Sequence, residues 1–173
     1  DTGFSSDGKV LTDIGTADSG RAVAIQTDGK VVVAGYALVS GSYDFAVARY
    51  DADGNLDTGF SSDGLVTIDI SSTHELAYGV AIQTDGKIVV VGATGYGGVN
   101  ANFGVIRITS SGALDTTFSS DGKIDVGVGA ADDYAMDVDI ASDGDIVVVG
   151  YGSNGSNWDV AAIRLDSSGN LDT

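Results

Sequence analysis

The sequence contains no cysteine and no proline. Without cysteine there is no disulfide framework, no thiol nucleophile and no thiolate metal site. Without proline, the 26 glycines among 173 residues read as turns of a folded chain rather than as a disordered linker. Glutamate occurs once, as Glu75, and histidine once, as His74; the other 24 acidic residues are aspartate. Aspartate forms turns and is a poor helix former, so this imbalance favours a loop-rich β protein. Positive charge is scarce as well: eight Lys and Arg against 25 acids leave a net charge of −17. Such a surface repels nucleic acid and anionic membranes. No apolar run approaches the roughly 20 residues of a membrane-spanning helix, so no membrane insertion is expected. There is no initiator Met and no signal peptide, which reads as an excised or processed piece of chain.

What the sequence does contain is a repeat. LDTGFSSDGLV at 56–66 returns as LDTTFSSDGKI at 114–124, and residues 1–10 read DTGFSSDGKV. A further LDT stands at 171–173. Asp1, Asp57, Asp115 and Asp172 are spaced by 56, 58 and 57 residues. A fixed period of this size signals a repeat architecture, here a single domain of residues 1–173 with repeats at about 1–56, 57–114 and 115–171. Each repeat predicts four strands. The inner strand, 20–26 in the first copy, carries Val23/Val80/Val138 and Ile25/Ile82/Ile140. An Asp-Gly turn at Asp28-Gly29, Asp85-Gly86 and Asp143-Gly144 then closes a hairpin. The second strand, 30–35, is apolar on both faces and stops at Gly35, as its copies do at Gly92 and Gly150. A third strand follows at 44–50, and an alternating outer strand at 65–70, repeated at 123–128 and seen alone at 9–14. No window sustains a 3.6-residue period, so no helix is expected.

Four short antiparallel strands, a sheet apolar on both faces and a period near 57 describe an all-β fold, a β-propeller with three four-stranded antiparallel blades per chain. One blade cannot bury its own sheet; neighbours must stack on each face. A β-solenoid and an irregular β-sandwich are the alternatives. The segment IQTDGKVVVAGY…YDFAVARYDADGNLDTGFSSDG resembles the delta-sixty repeat of large bacterial secreted and surface proteins. That resemblance spans the chain three times and implies a propeller fold and an extracellular or cell-surface location. It supplies no catalytic residues. The third copy departs from it, with Ala141-Ser142-Asp143-Gly144-Asp145 in place of QTDGK and Val160 in place of Phe.

Residues able to carry chemistry are few. His74 has no second histidine or cysteine to form a zinc site, and no nucleophile-elbow pattern accompanies it, so no enzyme is expected. Arg49, Arg107 and Arg164 recur in step with Asp57, Asp115 and Asp172, which suggests one Arg–carboxylate clamp per blade. Anion binding is the competing reading, disfavoured by so acidic a chain. Phe4, Phe60 and Phe118 are expected as plugs between blades. Asp51, Asp53, Asn55 and Asp57 place oxygens at alternate positions, as calcium loops do, but the copy at 109–115 loses most carboxylates and no glutamate closes the set. Self-bonded Asp and Asn turns explain the same residues, so no cofactor is expected, with Ca2+ the one candidate.

Variable loops at 37–43, 94–101 and 152–158, with links at 15–19, 71–76 and 129–134, are expected on one side of the blades. They carry Tyr43, Tyr96, Asn100, Tyr134, Asn154 and Trp158, a composition suited to a glycan or protein site of an adhesin or lectin-like module. The competing function is structural self-assembly. Blades one and two take their outer strands from 65–70 and 123–128, blade three lacks one, and the N-terminal 9–14 is an outer strand with no blade before it. Donation of 9–14 to another copy would complete blade three. Two chains would close six blades about a twofold axis, a filament or a longer natural ring being the other outcomes.

Overall fold

A computed structural model describes residues 3–71, 73–98 and 100–172. Asp1, Thr2 and Thr173 of the repeated motif, and Ser72 and Val99 of the loops, lie outside the described residues. The described residues form strands only: β1 (Asp18–Ile25), β2 (Val31–Val39), β3 (Ser42–Tyr50), β4 (Leu65–Ile68), β5 (Leu76–Ile82), β6 (Ile88–Thr94), β7 (Asn102–Ile108), β8 (Lys123–Val126), β9 (Asp133–Ile140), β10 (Ile146–Ser153) and β11 (Trp158–Leu165). They make three antiparallel sheets in the orders β1-β2-β3-β4, β5-β6-β7-β8 and β9-β10-β11. Each sheet is one blade. The inner strand β5 packs on β1 and β2, and β9 on β5 and β6, so the blades stack in sequence order without closing a ring.

Alternation gives each sheet two faces; blade two packs one against blade one and the other against blade three, while blades one and three each bury one face against blade two. Phe45 and Val47 of blade one meet Ile88, Val90 and Ile106 of blade two. Phe103 and Val105 of blade two meet Ile146 and Val148 of blade three. Strand β6, sandwiched between two blades, is buried at every position. This is why its sequence is a continuous apolar run rather than an alternating one.

Three boundaries differ from the sequence expectation. The second strand does not stop at its glycine but continues to Val39, Thr94 and Ser153. In blade one the hairpin closes on Ser40 and Gly41, with φ of 53° and 101°, the left-handed pair of a two-residue turn. Most of the expected loop at 37–43 is therefore ladder, and Tyr43 and Trp158 stand in strands. The outer strands are shorter than expected, ending at Ile68 and Val126. A carboxylate at the head of the next inner strand captures the backbone just beyond them: Ser71 N–H donates to Glu75 Oε1 at 3.1 Å, and Val128 N–H to Asp133 Oδ2 at 2.6 Å. The same capture joins Ile14 N–H to Asp18 Oδ2 at 2.8 Å.

The third difference is at 9–14, which is not a strand. β4 and β8 exist because β3 and β7 lie beside them; 9–14 has no such neighbour and stays extended without a ladder. It crosses the N-terminal face of blade one, where Tyr50 donates its hydroxyl proton to Thr12 Oγ1 at 2.7 Å. Between the segment and the sheet is a cavity of about 370 Å³ that Val10, Ile14, Val33 and Tyr50 help to line.

Candidate functional site

The best-built feature of the chain is the junction from one blade to the next. It is assembled from the repeated LDT-x-F-SSDG segment. Leu56 bridges to Tyr50, and Arg49 N–H donates to Gly64 O at 2.9 Å, so the segment folds back on the end of β3. Ser61 and Ser62 take positive φ of 52° and 70° to make that turn. The turn throws Phe60 forward, fully buried, against Gly112 in blade two, while Ser61 N–H donates to Ser111 O at 2.9 Å. One period later Phe118 meets Gly169 and Ser119 N–H donates to Ser168 O at 2.8 Å. One period earlier Phe4 lies on Gly54 and Ser5 N–H donates to Asp53 O at 2.7 Å.

Arginine ties the junction from the other side. Arg49 binds Asp57 Oδ2 through Nε at 2.9 Å and Nη2 at 2.8 Å, and its Nη1 donates across the blade boundary to Ser110 O at 2.6 Å. Arg107 likewise binds Asp115 Oδ2 at 2.7 Å and Ser167 O at 2.6 Å. Each guanidinium lies 4.5 Å from the centre of the junction ring, Arg49 over Phe60 and Arg107 over Phe118. Such desolvated cation–π contacts contribute about 2 kcal/mol. Burial pushes the Asp115 carboxyl up, but donation from Thr117 and the charge of Arg107 outweigh it and hold the carboxyl at about 2. Arg164 has no blade after it among the described residues. It is 45% exposed and spreads over Asp143, Asp145 and Asp172 instead.

The six residues expected to form a binding face do not converge on one point. Tyr96, Tyr134 and Trp158 do come together, with Tyr134 6.3 Å from Tyr96 and 5.8 Å from Trp158. Tyr151, which sequence reading passed over, completes the group at 5.3 Å from Tyr134 and 5.2 Å from Trp158. Tyr43 belongs to a second cluster, 5.3 Å from Tyr36 and 5.5 Å from His74. His74 Nδ1 accepts the Tyr43 N–H at 3.0 Å, which gives the only histidine a structural task. Asn100 sits in its loop at φ 63°, and Asn154 bonds Asn157 and Asp159 within the β10–β11 turn. Half-buried Tyr78, another residue missed from sequence, has its hydroxyl pushed up to about 12 by desolvation. The signal for Tyr36 and Tyr151 was present, since each directly follows the glycine of its second strand. The capturing carboxylates were also legible: Asp18, Glu75 and Asp133 each stand five residues before Val23, Val80 and Val138.

The calcium candidates are committed elsewhere. Asp51 Oδ1 accepts the N–H groups of Asp53 and Asn55 at 3.0 and 2.8 Å, and Asp57 faces Arg49. Asp166 repeats this with Ser168 and Asn170, and Thr109 replaces the carboxylate in the middle copy. Among the described residues no three His, Asp or Glu side chains gather to hold a metal. Thermal unfolding in EDTA and in excess calcium is therefore expected to give the same midpoint, with magnesium as the charge control. A rise specific to calcium would show a site of different composition. Nor is any helix among the described residues long and apolar enough to cross a membrane.

Three stacked antiparallel blades, joined by one repeated latch, define a propeller-type repeat protein. The chain belongs to the β-propeller family described as "Domain of unknown function (DUF5122) beta-propeller", which matches residues 26–60, 83–118 and 141–173. Each matched stretch starts at the end of an inner strand and takes in the second and third strands; the first two run on through the junction phenylalanine. No curated protein matches the chain.

Proposed function

We propose that this chain is a non-enzymatic, extracellular propeller repeat module of the delta-sixty kind, whose role is structural and which self-assembles by exchanging strands between copies. One observation carries the reading: β11 is an open sheet edge, while 9–14, the sequence equivalent of β4 and β8, has no ladder partner. An unpaired edge of this length is a template for a further strand. Both end faces also expose apolar side chains, on blade one beyond the part that 9–14 crosses. Val23 and Ile25 on blade one are 64% and 71% exposed, and Val160 on blade three is 92% exposed. The extracellular location rests on the delta-sixty resemblance alone. The absence of catalysis rests on the lone histidine and its bond to Tyr43.

Within one chain the middle sheet separates 9–14 from β11, so the exchange takes place between copies. A pair of chains then forms a closed, twofold set of six blades. Light scattering at micromolar concentration should give twice 17.4 kDa. Because each copy carries −17, association should strengthen as salt is raised from about 0.01 to 0.15 M, where the screening length falls from about 30 to 8 Å. A stable 17.4 kDa species across that range overturns strand exchange. So does a dimer that survives removal of residues 1–14.

A further inference from the structure

Resting on that assembly reading, we propose that the aromatic end face of blade three is not a ligand platform but the docking face for blade one of a second copy, and that the contact repeats the internal blade junction residue for residue. The chain supplies its own template. Tyr151 and Trp158 are the period equivalents of Tyr36 and Tyr43, and the two pairs have the same shape. Their ring centres are 5.2 and 5.3 Å apart, and both pairs meet edge to face, at 87° and 79°. In blade one that pair is covered by the link into blade two, where His74 lies 5.5 Å from Tyr43 and Glu75 N–H donates to Tyr43 O at 2.6 Å. In blade two the same contact is Asp133 N–H to Ala101 O at 2.7 Å. In blade three no described residue makes it: Trp158 is 53% exposed, and Val160 is 92% exposed where its equivalents Phe45 and Phe103 are fully buried.

Arg164 gives the second, independent sign. Arg49 and Arg107 each donate to a carbonyl in the β-turn of the following blade, Ser110 O and Ser167 O. Among the described residues the side-chain partners of Arg164 are Asp143, Asp145 and Asp172, all on its own blade. The equivalent carbonyl on blade one is that of Ala52, beside the turn that already holds Phe4 and Ser5. Blade one thus presents a formed latch with no described blade behind it, and blade three presents the arginine and the aromatic pair that such a latch receives.

The equivalence fixes a register. Residues 65–68 pair with Ala48, Val47, Ala46 and Phe45, and 123–126 with Ile106, Val105, Gly104 and Phe103. Residues 9–12 of one copy therefore lie opposite Ile163, Ala162, Ala161 and Val160 of the other. Asp18 N–H takes the place of Glu75 N–H and Asp133 N–H, donating to Trp158 O. One detail differs. His74 Nδ1 and Asp132 Oδ1 accept a backbone N–H at the internal junctions, at 3.0 and 2.8 Å, whereas the equivalent residue here is Ala17. The junction between copies is thus built one hydrogen bond short, which suits a contact that forms and dissolves.

The absence of cysteine and the single tryptophan make a direct test. Chains carrying Leu11→Cys and Ala161→Cys are mixed under mild oxidation, with Leu11→Cys and Ala162→Cys as the register control, since a one-residue slip turns the side chain to the other face. The 11–161 mixture should yield a covalent heterodimer and the 11–162 mixture should yield little. Acrylamide should quench Trp158 less in the dimer than in the diluted monomer, and Arg164→Ala should weaken association roughly tenfold or more. A dimer of the correct mass that links 11 to 162, or whose Trp158 is quenched as freely as in the monomer, overturns this docking while leaving strand exchange standing. A monomer that forms no link at either pair overturns both.

Discussion

Arg107→Ala should lower the stability of the fold by about 3–5 kcal/mol, the usual cost of removing one partner of a buried ion pair. The side chain is 3% exposed. Its loss takes away a 2.7 Å bond to Asp115, a 2.6 Å bond to Ser167 O across the blade boundary, a 3.3 Å bond to Thr117 Oγ1 and the stack on Phe118. Asp115, itself 5% exposed, would keep only Lys87 at 3.4 Å as a cation. For a chain of this size the midpoint of thermal unfolding should drop on the order of 10 °C. Arg107→Lys should recover little, because one ammonium cannot reach Asp115 and Ser167 together and lie flat on the ring. Low pH supplies an internal check. The Asp115 carboxyl titrates at about 2 when folded, below its ordinary 3.8, so the stability it contributes is complete above 3.8 and is lost as pH falls through about 2. The gap between wild type and Arg107→Ala should therefore narrow from pH 4 toward pH 2. A gap that stays constant, or a loss under 1 kcal/mol, would mean that the clamp does not hold the blades together.

The period of the sequence made the blades legible, and the constancy of Phe60, Phe118, Arg49 and Arg107 made the parts of the junction legible. What the period could not show is which partner each part meets. Nothing in the residues Arg49 and Asp57 says that Nη1 reaches into the next blade, because Ser110 O is a backbone atom and any residue at 110 would offer it. The extent of the second strand was hidden for a different reason. A glycine after an apolar run reads as a stop, yet here it is a crossing point, and the strand carries on through Tyr36, Ala37 and Leu38 to Val39. The aromatic residues show a third limit. The sequence places Tyr43 and Trp158 in loops, whereas they hold equivalent strand positions, one covered by the following blade and the other half exposed. Sequence shows that both are aromatic; only the stacking order shows why one of them is exposed.

The same crossing glycine carries the second large effect: Gly92→Ala should abolish cooperative folding or lower stability by well over the ~1 kcal/mol that a helix or strand glycine ordinarily involves. Conformational freedom is not the cause, since Gly92 is not among the positive-φ glycines. The cause is space. The inner strand β5 bulges between Ala77 and Gly79, pressing its backbone onto β6, and Gly92 pairs with Ala77 at that point. A Cβ on Gly92 would stand 2.6 Å from Ala77 Cα and inside contact distance of the Leu76 carbonyl oxygen. Backbone cannot rotate away as a side chain can, so β5 must leave β6. That would strip Ala77 and Val80 from the core shared with blade one. The arrangement recurs at Gly35 opposite Gly20 and at Gly150 opposite Ala135, each beside a break in register, so the bulge and the glycine are one device used three times. Gly97→Ala separates this steric cause from a general cost of losing glycine. Gly97 has φ +79° and nothing within 4 Å of a built Cβ, so its replacement should cost only the ~1–2 kcal/mol of a left-handed residue. Urea unfolding of the two variants side by side decides the matter. Equal midpoints would show that β5 yields to the added methyl, and that the bulge is not what requires glycine at the crossing.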